Sequence, residues 1–260
     1  MSRTIVITGA SSGIGKALAL RYAKTGAGLG LLGRDNERLD RVAADCRAAG
    51  AKVDTAPIDV RARGEMAAWL ETFDDASSVD LLIANAGVME GTPPGGDIEL
   101  AQPSYELMQT NVLGVFNTVQ PLLPRMMARR RGQIAIVSSL AGLIPLRDAP
   151  SYCASKSAVL AYGLSLRDLL RTHGIGVSVV CPGYVTTPMS QQVIGDKPFE
   201  MPLERAIEII LRGLERDKAV IAFPFWLALA TRIGGRLPDW LRERVTRASR
   251  FRVDSAARQK

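Results

Sequence analysis

Tyr152 and Lys156 are the pair of side chains in this sequence whose types and spacing best suit proton chemistry. They are four residues apart in a segment with a helical pattern, so they lie on one face of a helix. A tyrosine with its ordinary pKa of about 10 is a poor base at neutral pH, and a cation one turn away is expected to lower that pKa. The pair could exchange a proton with an alcohol/carbonyl couple. The same spacing also occurs on ordinary surface helices.

Ser139 strengthens the chemical interpretation of this pair. It lies thirteen residues before Tyr152, directly after an apolar run that predicts a strand. Its hydroxyl could hold the oxygen atom of a substrate. Three such side chains together are much less expected by chance than Tyr152 and Lys156 alone.

A glycine-rich segment, Thr8–Gly15, joins the first predicted strand to the first predicted helix. Gly9, Gly13 and Gly15 permit a tight turn that brings backbone N–H groups and the positive end of a helix dipole to a pyrophosphate. The spacing is G-x-x-x-G-x-G rather than G-x-G-x-x-G, and a glycine-rich turn alone could be a flexible loop. Its position at the first strand–helix junction favours a dinucleotide site.

Arg34 and Asp35 follow the second predicted strand, where dinucleotide-binding folds recognise the ribose. An acidic residue there usually binds the ribose hydroxyls of NAD, whereas the planar guanidinium of Arg34 suits the 2′-phosphate of NADP. Asp35 could bind ribose or cap the next helix, and both residues could be solvated turn residues. We expect NADP(H) to be the preferred cofactor, with NAD(H) as the alternative.

The elements that must position these residues alternate between short apolar runs and longer helical patterns. Continuous apolar runs are typical of parallel strands covered on both faces. The alternation predicts an α/β fold in a single domain, with a doubly wound parallel sheet of the Rossmann type in three layers, α/β/α. The predicted strands are Thr4–Thr8, Gly28–Leu32, Lys52–Ile58, Val79–Ala84, Gln133–Val137, Val177–Cys181 and Ala219–Phe223. The predicted helices lie near residues 13–25, 35–48, 61–73, 103–129, 151–172 and 203–216.

Three parts are expected within this one domain, residues 1–260. Residues 1–190 are predicted to form a cofactor-binding and catalytic core, residues 191–217 a substrate loop and helix, and residues 218–260 the last strand and a basic extension. Gly87–Gln102 and Pro182–Pro202 read as long loops after strands, at the carboxyl edge where ligands bind in such sheets.

Taken together, the motifs resemble those of the short-chain dehydrogenase/reductase family, in its single-domain branch. The resemblance implies an NAD(P)-dependent oxidoreductase that moves a hydride reversibly between the nicotinamide and a ketone or secondary alcohol. The matching segments are Thr8–Gly15, Asp59-Val60, Asn85-Ala86-Gly87, Asn111, Ser138–Gly142, Tyr152 to Lys156, and Pro182-Gly183 with Thr187 and Met189.

The resemblance also implies catalytic roles. Tyr152 is the general acid/base, Ser139 orients the substrate oxygen, and Lys156 contacts the nicotinamide ribose and tunes Tyr152. Asn111 is implied to hold a water that links Lys156 to bulk solvent.

Cofactor contacts are implied in the same way. Asp59 and Val60 would flank the adenine, Asn85 and Gly87 would shape the cofactor wall, and Thr187 would lie near the carboxamide. The complete set of implied cofactor contacts is Gly9, Ser11, Ser12, Gly13, Ile14, Gly15, Arg34, Asp59, Val60, Asn85, Ala86, Gly87, Tyr152, Lys156, Pro182, Gly183, Val185 and Thr187.

The substrate contacts are predicted from the two long loops and the segment before Tyr152. Most of the candidates are apolar, which favours a lipid-like, steroid-like or aromatic carbonyl, while sugars stay open because members of the family also act on them. The alternative class is a non-catalytic NADP(H)-binding sensor or scaffold of the same fold. The candidates are Ser139, Leu140, Leu146, Tyr184 and Met189, with Met89 and Val193 beside them.

The net charge of +7 comes from the last part of the chain. Residues 218–260 contain ten Lys or Arg and three Asp or Glu, an excess equal to that of the whole chain. The apolar run Ala219–Ala230, interrupted by Pro224, predicts the last strand and a helix, Phe225–Ile233, packed over the substrate cleft. The alternative is an interfacial anchor whose apolar residues enter lipid while arginines meet anionic headgroups, and the two interpretations can coexist. The apolar residues of this anchor are Phe223, Phe225, Trp226, Leu227 and Leu229, and its arginines are Arg232, Arg236, Arg242, Arg244 and Arg247.

Other features bear on location and partners. Cys46, Cys153 and Cys181 have neither metal-ligand nor disulfide spacing, so no metal is expected and a reducing compartment is favoured. Neither a signal-peptide pattern nor an apolar run long enough to span a bilayer is present. We therefore expect a cytoplasmic protein, with peripheral contact at the inner face of a membrane left open.

Small-molecule carbonyl or alcohol substrates are the expected partners. The arginines near residues 125–131 do not interleave with aromatic residues, so nucleic-acid binding is not expected. The family resemblance implies a homodimer or homotetramer that pairs through helices beginning near Pro103 and Ser151.

Overall fold

A parallel sheet of seven strands runs through the centre of the molecule. The computed structural model describes residues 3–235, 237–238, 240 and 251–254. The strands of the central sheet are β1 (Thr4–Thr8), β2 (Gly28–Leu32), β3 (Lys52–Ala56), β4 (Leu81–Ala84), β5 (Gly132–Val137), β6 (Ile175–Pro182) and β8 (Val220–Phe223), and a separate antiparallel pair is formed by β7 (Val193–Gly195) and β9 (Phe251–Val253). The order across the sheet is β3-β2-β1-β4-β5-β6-β8, with all neighbours parallel. This is the doubly wound order, whose direction reverses between β1 and β4, and such sheets bind ligands at that point.

Helices cover both faces of the sheet, which confirms the predicted three-layer fold. Among the described residues, the α-helices are α1 (Gly13–Ala23), α2 (Asn36–Ala48), α3 (Arg63–Ala76), α4 (Ala101–Met108), α5 (Gly114–Val119), α6 (Leu123–Arg129), α7 (Pro150–Leu170), α8 (Pro188–Gln191), α9 (Leu203–Glu215) and α10 (Phe225–Gly234). Successive side chains of a strand point to opposite faces, so Ile5 and Ile7 pack on the side of α1, α2 and α9 while Val6 packs on the side of α3, α5, α6 and α7.

The helix predicted near residues 103–129 is not one uniform α-helix, and it begins earlier, at Ala101. α4 is followed by a π-helical turn, Gln109–Leu113, and α5 is followed by a 3-10 turn before α6. Pro121 and Pro124 have no backbone N–H to donate, so the α-helical pattern of hydrogen bonds is interrupted where they lie.

Strand ends differ from the predicted ones by at most two residues. β3 ends at Ala56 rather than Ile58, and β6 extends further at both ends than predicted. β4 begins at Leu81 rather than Val79, because the Val79 N–H donates to the carboxylate of Asp74 (2.8 Å) instead of to a neighbouring strand.

The segment predicted as the loop Pro182–Pro202 contains α8 and β7, and β7 pairs with β9 from the basic extension. The prediction that Ala219–Phe223 is the last strand was wrong, because β9 follows it within the extension. The helix predicted after Pro224 is confirmed as α10. Arg236, Arg242, Arg244 and Arg247 lie outside the described residues. Within the part of the chain that the structure describes, no helix combines the length and apolar character needed to cross a bilayer.

Candidate active site

A cavity of about 440 Å³ lies at the carboxyl edge of the sheet. Gly15 and Asn111 are the two predicted site residues that do not line this cavity. The predicted residues that line it are Gly9, Ser11, Ser12, Gly13, Ile14, Arg34, Asp59, Val60, Asn85, Ala86, Gly87, Ser139, Leu140, Leu146, Tyr152, Lys156, Pro182, Gly183, Tyr184, Val185, Thr187 and Met189. One continuous space thus contacts the glycine turn, the Tyr–Lys pair and the predicted substrate residues.

The turn at one end of the cavity requires glycine for two different reasons. Gly9 and Gly13 have positive φ angles of 65° and 52°, a conformation that other residues rarely adopt. Gly15 packs so closely that a Cβ there would overlap the Gly9 carbonyl oxygen and lie 2.6 Å from Asn85 Nδ2. The side chain of Ser12, the N-cap of α1, makes no capping hydrogen bond, so N–H groups of the first helical turn remain available to an anion. These features fit the phosphates of a dinucleotide.

Asn85 holds this turn in place. Its Nδ2 donates to the carbonyl oxygens of Thr8 (3.0 Å) and Gly9 (3.2 Å). The Thr8 hydroxyl oxygen in turn accepts from the backbone N–H groups of Asn85 (3.1 Å) and Ala86 (3.2 Å). The ends of β1 and β4 are therefore joined where the cofactor wall was predicted.

Ser139, Tyr152 and Lys156 come together in the same cavity. Ser139 Oγ accepts from the Ala141 N–H (3.1 Å), donates to the Pro182 carbonyl oxygen (3.4 Å), and the side chain hydrogen-bonds to Tyr152. Lys156 Nζ lies 5.7 Å from the centroid of the Tyr152 ring and donates to the Val137 carbonyl oxygen (3.1 Å). The three polar groups therefore share one site between the end of β5 and the start of α7.

Burial shifts the pKa of both Tyr152 and Lys156. Burial raises the pKa of Tyr152 to about 12, although its hydrogen bond with Ser139 lowers it. Burial also lowers the pKa of Lys156 to about 8. The pKa of Tyr152 is therefore raised and not lowered as the spacing predicted, because the largest effect on it is the loss of solvation on burial. Tyr152 is protonated at neutral pH and is suited to donating a proton.

Asn111 is buried beside Lys156, in the π-helical turn. Its Oδ1 accepts from the Val88 N–H (2.8 Å), and its Nδ2 donates to the Val88 carbonyl oxygen (2.9 Å) and to Ser155 Oγ (3.1 Å). A Cβ on Gly87 would lie 3.2 Å from Asn111 Oδ1 and 3.4 Å from Lys156 Nζ. The amide thus fixes the segment after β4 against α7, and the water-holding role implied by the resemblance stays a prediction.

Arg34 and Asp59 line the far end of the cavity from Tyr152. Arg34 Nη1 lies 3.9 Å from Asp59 Oδ2. Burial favours a higher pKa for Asp59, but the hydrogen bonds and charge of Arg61, with a smaller effect from Arg34, lower it. Asp35 caps α2, since its carboxylate accepts from the Arg38 N–H at 2.9 Å. The helix-capping alternative for Asp35 is therefore the one observed.

Several lining residues were missed by the sequence analysis. Leu227, Ala230 and Thr231 reach the cavity from α10, and their spacing along the helix was a signal that could have identified them. Phe251 reaches it from β9, and no local pattern predicts that. Arg147, which lies between Ser139 and Tyr152 in the sequence, is exposed and outside the cavity lining.

The basic cluster at the end of α6 is engaged with acidic side chains of the protein. Arg129 Nη1 pairs with Asp74 (2.8 Å), which also lies 3.6 Å from Arg125 Nη1. Arg131 Nη2 pairs with Asp80 at 2.6 Å. These arginines hold α6 against the segment before β4.

The doubly wound sheet with a glycine turn and a Ser–Tyr–Lys group defines a dehydrogenase-type Rossmann protein. A family model described as short chain dehydrogenase matches residues 3–198, and the chain belongs to that family. A Myxococcus xanthus protein described as an uncharacterized oxidoreductase is 34% identical over 253 residues, covering 95% of this chain and 98% of the relative.

Solved structures show the same fold. A short-chain dehydrogenase from Sphingobium yanoikuyae in complex with NADPH has a TM-score of 0.77 at 27% identity, covering 91% of this chain and 97% of that chain. A short chain dehydrogenase/reductase from Burkholderia phymatum in complex with NAD has a TM-score of 0.76 at 27% identity, covering 89% and 92% of the two chains.

Proposed function

We propose that this protein is an NADP(H)-preferring oxidoreductase that transfers a hydride reversibly between nicotinamide and a ketone or secondary alcohol. The observation that carries the proposal is that Ser139, Tyr152 and Lys156 line the same cavity as the glycine turn. A dinucleotide held at the turn would share its space with a buried proton donor. The structural relatives in complex with NADPH and with NAD support a nicotinamide cofactor and leave its form open.

The residues of this chain account for the proton half of the reaction. A bound nicotinamide would supply the hydride for the carbonyl carbon. The hydroxyl groups of Ser139 and Tyr152 can both donate hydrogen bonds to the carbonyl oxygen of the substrate and hold it in place. In reduction, Tyr152 gives its proton to that oxygen as negative charge develops there. The charge of Lys156 stabilises the tyrosinate that remains.

We favour an apolar carbonyl substrate, lipid-like or steroid-like, over a sugar. Met89, Leu146, Tyr184, Met189 and Val193 line the cavity and belong to the same apolar cluster as Tyr152. The hydroxyl groups of a sugar would lose hydration against these side chains without enough polar partners to replace it.

A carbonyl screen separates this function from a non-catalytic NADP(H) sensor. The purified full chain is mixed with NADPH and a panel of ring ketones, 3-ketoacyl compounds and sugars, and oxidation of NADPH is followed. Turnover of at least one apolar ketone is expected. Tight binding of NADPH without turnover across the panel would favour the sensor.

Arg34→Ala is expected to weaken binding of NADPH while sparing NADH. A charge-assisted contact between the guanidinium and a 2′-phosphate is worth enough that its loss should lower NADPH affinity roughly 10- to 100-fold. Fluorescence titration of both cofactors measures this. Arg41→Ala, an exposed arginine of α2 outside the cavity lining, is the control and should change neither affinity. Equal losses for the two cofactors in Arg34→Ala would show that Arg34 does not read the phosphate.

We also propose that α10 makes peripheral contact with an anionic membrane. Phe225 and Trp226 are each 68% exposed, and Leu229 and Ile233 extend this apolar face. The helix lies in the part of the chain that carries the basic excess, which suits insertion of the apolar residues beside anionic headgroups. The face that includes Leu227 lines the cavity, which leaves the exposed face free for the proposed membrane contact.

Vesicle co-sedimentation tests the membrane contact. The full chain should sediment with vesicles containing phosphatidylglycerol at low salt and dissociate at high salt. Trp226→Ser should weaken sedimentation, whereas Ile98→Ser, at an exposed apolar residue outside α10, should not. A wild-type chain that stays in the supernatant at low salt would contradict the contact.

We propose that copies of the chain pair through the outer faces of α4 and α7. Tyr105, Leu113 and Leu169 are large apolar side chains exposed on these two helices or on the turn that follows α4. A dimer or tetramer mass by light scattering is expected, and a monomer at working concentration would contradict it.

A further inference from the structure

The strand β9 brings a segment near the end of the chain back over the catalytic end of the cavity. It pairs antiparallel with β7, so that Phe251 lies opposite Gly195 and Val253 lies opposite Val193. β7 belongs to the covering segment after β6, which supplies the predicted substrate contacts Tyr184 and Met189. The last described strand of the chain is therefore part of the substrate wall.

Asp148 anchors β9 with both oxygens of its carboxylate. Its Oδ2 accepts from the Phe251 N–H (3.1 Å) and its Oδ1 accepts from Arg252 Nη1 (2.8 Å). The Asp148 residue is only 6% exposed, so loss of these partners would leave a buried charge that costs more than an ordinary surface contact. Asp148 comes just before α7, the helix that carries Tyr152, so β9 is held to the segment that leads into that helix.

Backbone hydrogen bonds align the rest of β9 on the same support. The Val253 N–H donates to the Thr92 carbonyl oxygen (3.1 Å), and the Thr92 N–H donates to the Asp148 carbonyl oxygen (2.8 Å). Val253 is fully buried against Gly91, where a Cβ would lie 2.6 Å from Val253 Cγ2. A side chain at position 91 would displace Val253, so the glycine allows β9 to pack closely against this segment.

Phe251 is the β9 residue whose side chain lines the cavity. It is 5% exposed, lines the cavity, and belongs to the same apolar cluster as Tyr152 and Val193. Leu146, Tyr184 and Met189 pack against that cluster. An aromatic ring among the predicted substrate contacts occupies space that a larger substrate would need.

We propose that Phe251 is a specificity-determining residue, which closes the substrate end of the cavity and limits the size of the carbonyl compound that reaches Tyr152. Arg252 acts through Asp148 as a positioning residue that holds Phe251 at this wall. The inference rests on the proposed function and adds to it the part of the chain that sets substrate size.

Phe251→Ala in the full chain tests the size limit. The ratio of kcat/KM for a fused two-ring ketone, decalone, to that for cyclohexanone is measured with NADPH for each variant. Removing the ring should raise this ratio roughly tenfold or more, since small changes of volume in an apolar pocket discriminate substrates on that scale. The affinity for NADPH should not change. Phe116→Ala is the matched control, because Phe116 stacks on Tyr162 outside the cavity lining, and it should leave the ratio at the wild-type value.

Arg252 variants test the positioning role. Arg252→Ala should raise the decalone-to-cyclohexanone ratio of kcat/KM by a smaller factor. In this variant the Phe251 N–H still donates its hydrogen bond to the Asp148 carboxylate, but the ion pair between residue 252 and Asp148 is lost. Arg252→Lys keeps the charge and should restore most of the wild-type ratio. Loss of stability with no change in the ratio for Arg252→Ala would show that the pair is only structural.

The outcomes separate this inference from the proposed function. A Phe251→Ala protein that folds and keeps the wild-type ratio within about twofold overturns the inference. If that variant does not fold, Phe251→Leu keeps a buried apolar side chain and should show a smaller shift in the same direction. If the wild type reduces neither ketone, the size limit is read instead from the affinities of decalol and cyclohexanol for the protein with NADP⁺ by calorimetry, and the proposed function fails only if no carbonyl compound of the panel is reduced. An unchanged affinity ratio in Phe251→Ala would then overturn the inference.

Discussion

Tyr152→Phe is expected to reduce carbonyl turnover by roughly 10²- to 10⁴-fold, the usual contribution of general acid catalysis. The substitution removes the hydroxyl that donates the proton, while the ring keeps its place in the apolar cluster that contains Val193 and Phe251. Affinity for NADPH should therefore stay near the wild-type value. Steady-state kinetics and fluorescence titration of the cofactor measure the two quantities separately.

Tyr162→Phe is the matched control on the same helix. Its hydroxyl accepts from Gln120 Nε2 (3.0 Å), and its ring stacks on Phe116 with centroids 4.2 Å apart. It does not line the cavity, so turnover should be unchanged when this hydroxyl is removed. Undiminished turnover in Tyr152→Phe, or an equal loss in both variants, would contradict the role given to Tyr152.

Gly15→Ala is expected to lower affinity for NADPH by roughly 10- to 100-fold, because moving the turn weakens hydrogen bonds to charged phosphates, which are worth about 1.5–3 kcal/mol each. The added Cβ would overlap the Gly9 carbonyl oxygen and lie 2.6 Å from Asn85 Nδ2. The turn that is proposed to bind the phosphates must therefore move. Overpacking of this kind should also lower the free energy of unfolding by about 1–3 kcal/mol. Cofactor titration and urea unfolding test these two effects.

Gly64→Ala is the control for the added methyl group. Gly64 lies in α3, and apart from its chain neighbours and the backbone of its own helix no atom lies within 4 Å of the position of its Cβ. Alanine there should leave cofactor affinity unchanged and raise the free energy of unfolding by up to about 1 kcal/mol, because alanine favours a helix over glycine. Wild-type affinity in Gly15→Ala would show that the turn does not bind the cofactor.

The central sheet could be predicted from sequence because its strands are buried on both faces and appear as continuous apolar runs. β1 and β2 match their predicted bounds. The Tyr–Lys pair, Ser139 and the glycine turn could be identified because the chemistry requires those residue types at short separations. The doubly wound order of the sheet then brings their strand ends to one edge.

The remaining features depend on contacts between distant parts of the chain. β9 has only three residues, with Arg252 between Phe251 and Val253, so its composition resembles the rest of the basic extension. The contacts of β9 with Asp148 and β7 form only when the chain folds, because these residues are far apart in the sequence. The direction of the Tyr152 pKa shift was missed for a related reason, because the spacing reveals the neighbouring cation and not the extent of burial.

Transfer of deuterium from the cofactor is the measurement that tests the central claim most directly. The full chain is incubated with an apolar ketone and NADPH in which both hydrogens of the hydride-donating carbon are deuterium, and the alcohol product is analysed by mass spectrometry. The account predicts that the product carries the label on its carbinol carbon and that Tyr152→Phe forms little of it. An unlabelled alcohol, or bound NADPH that transfers no label to any ketone of the panel, would contradict the account.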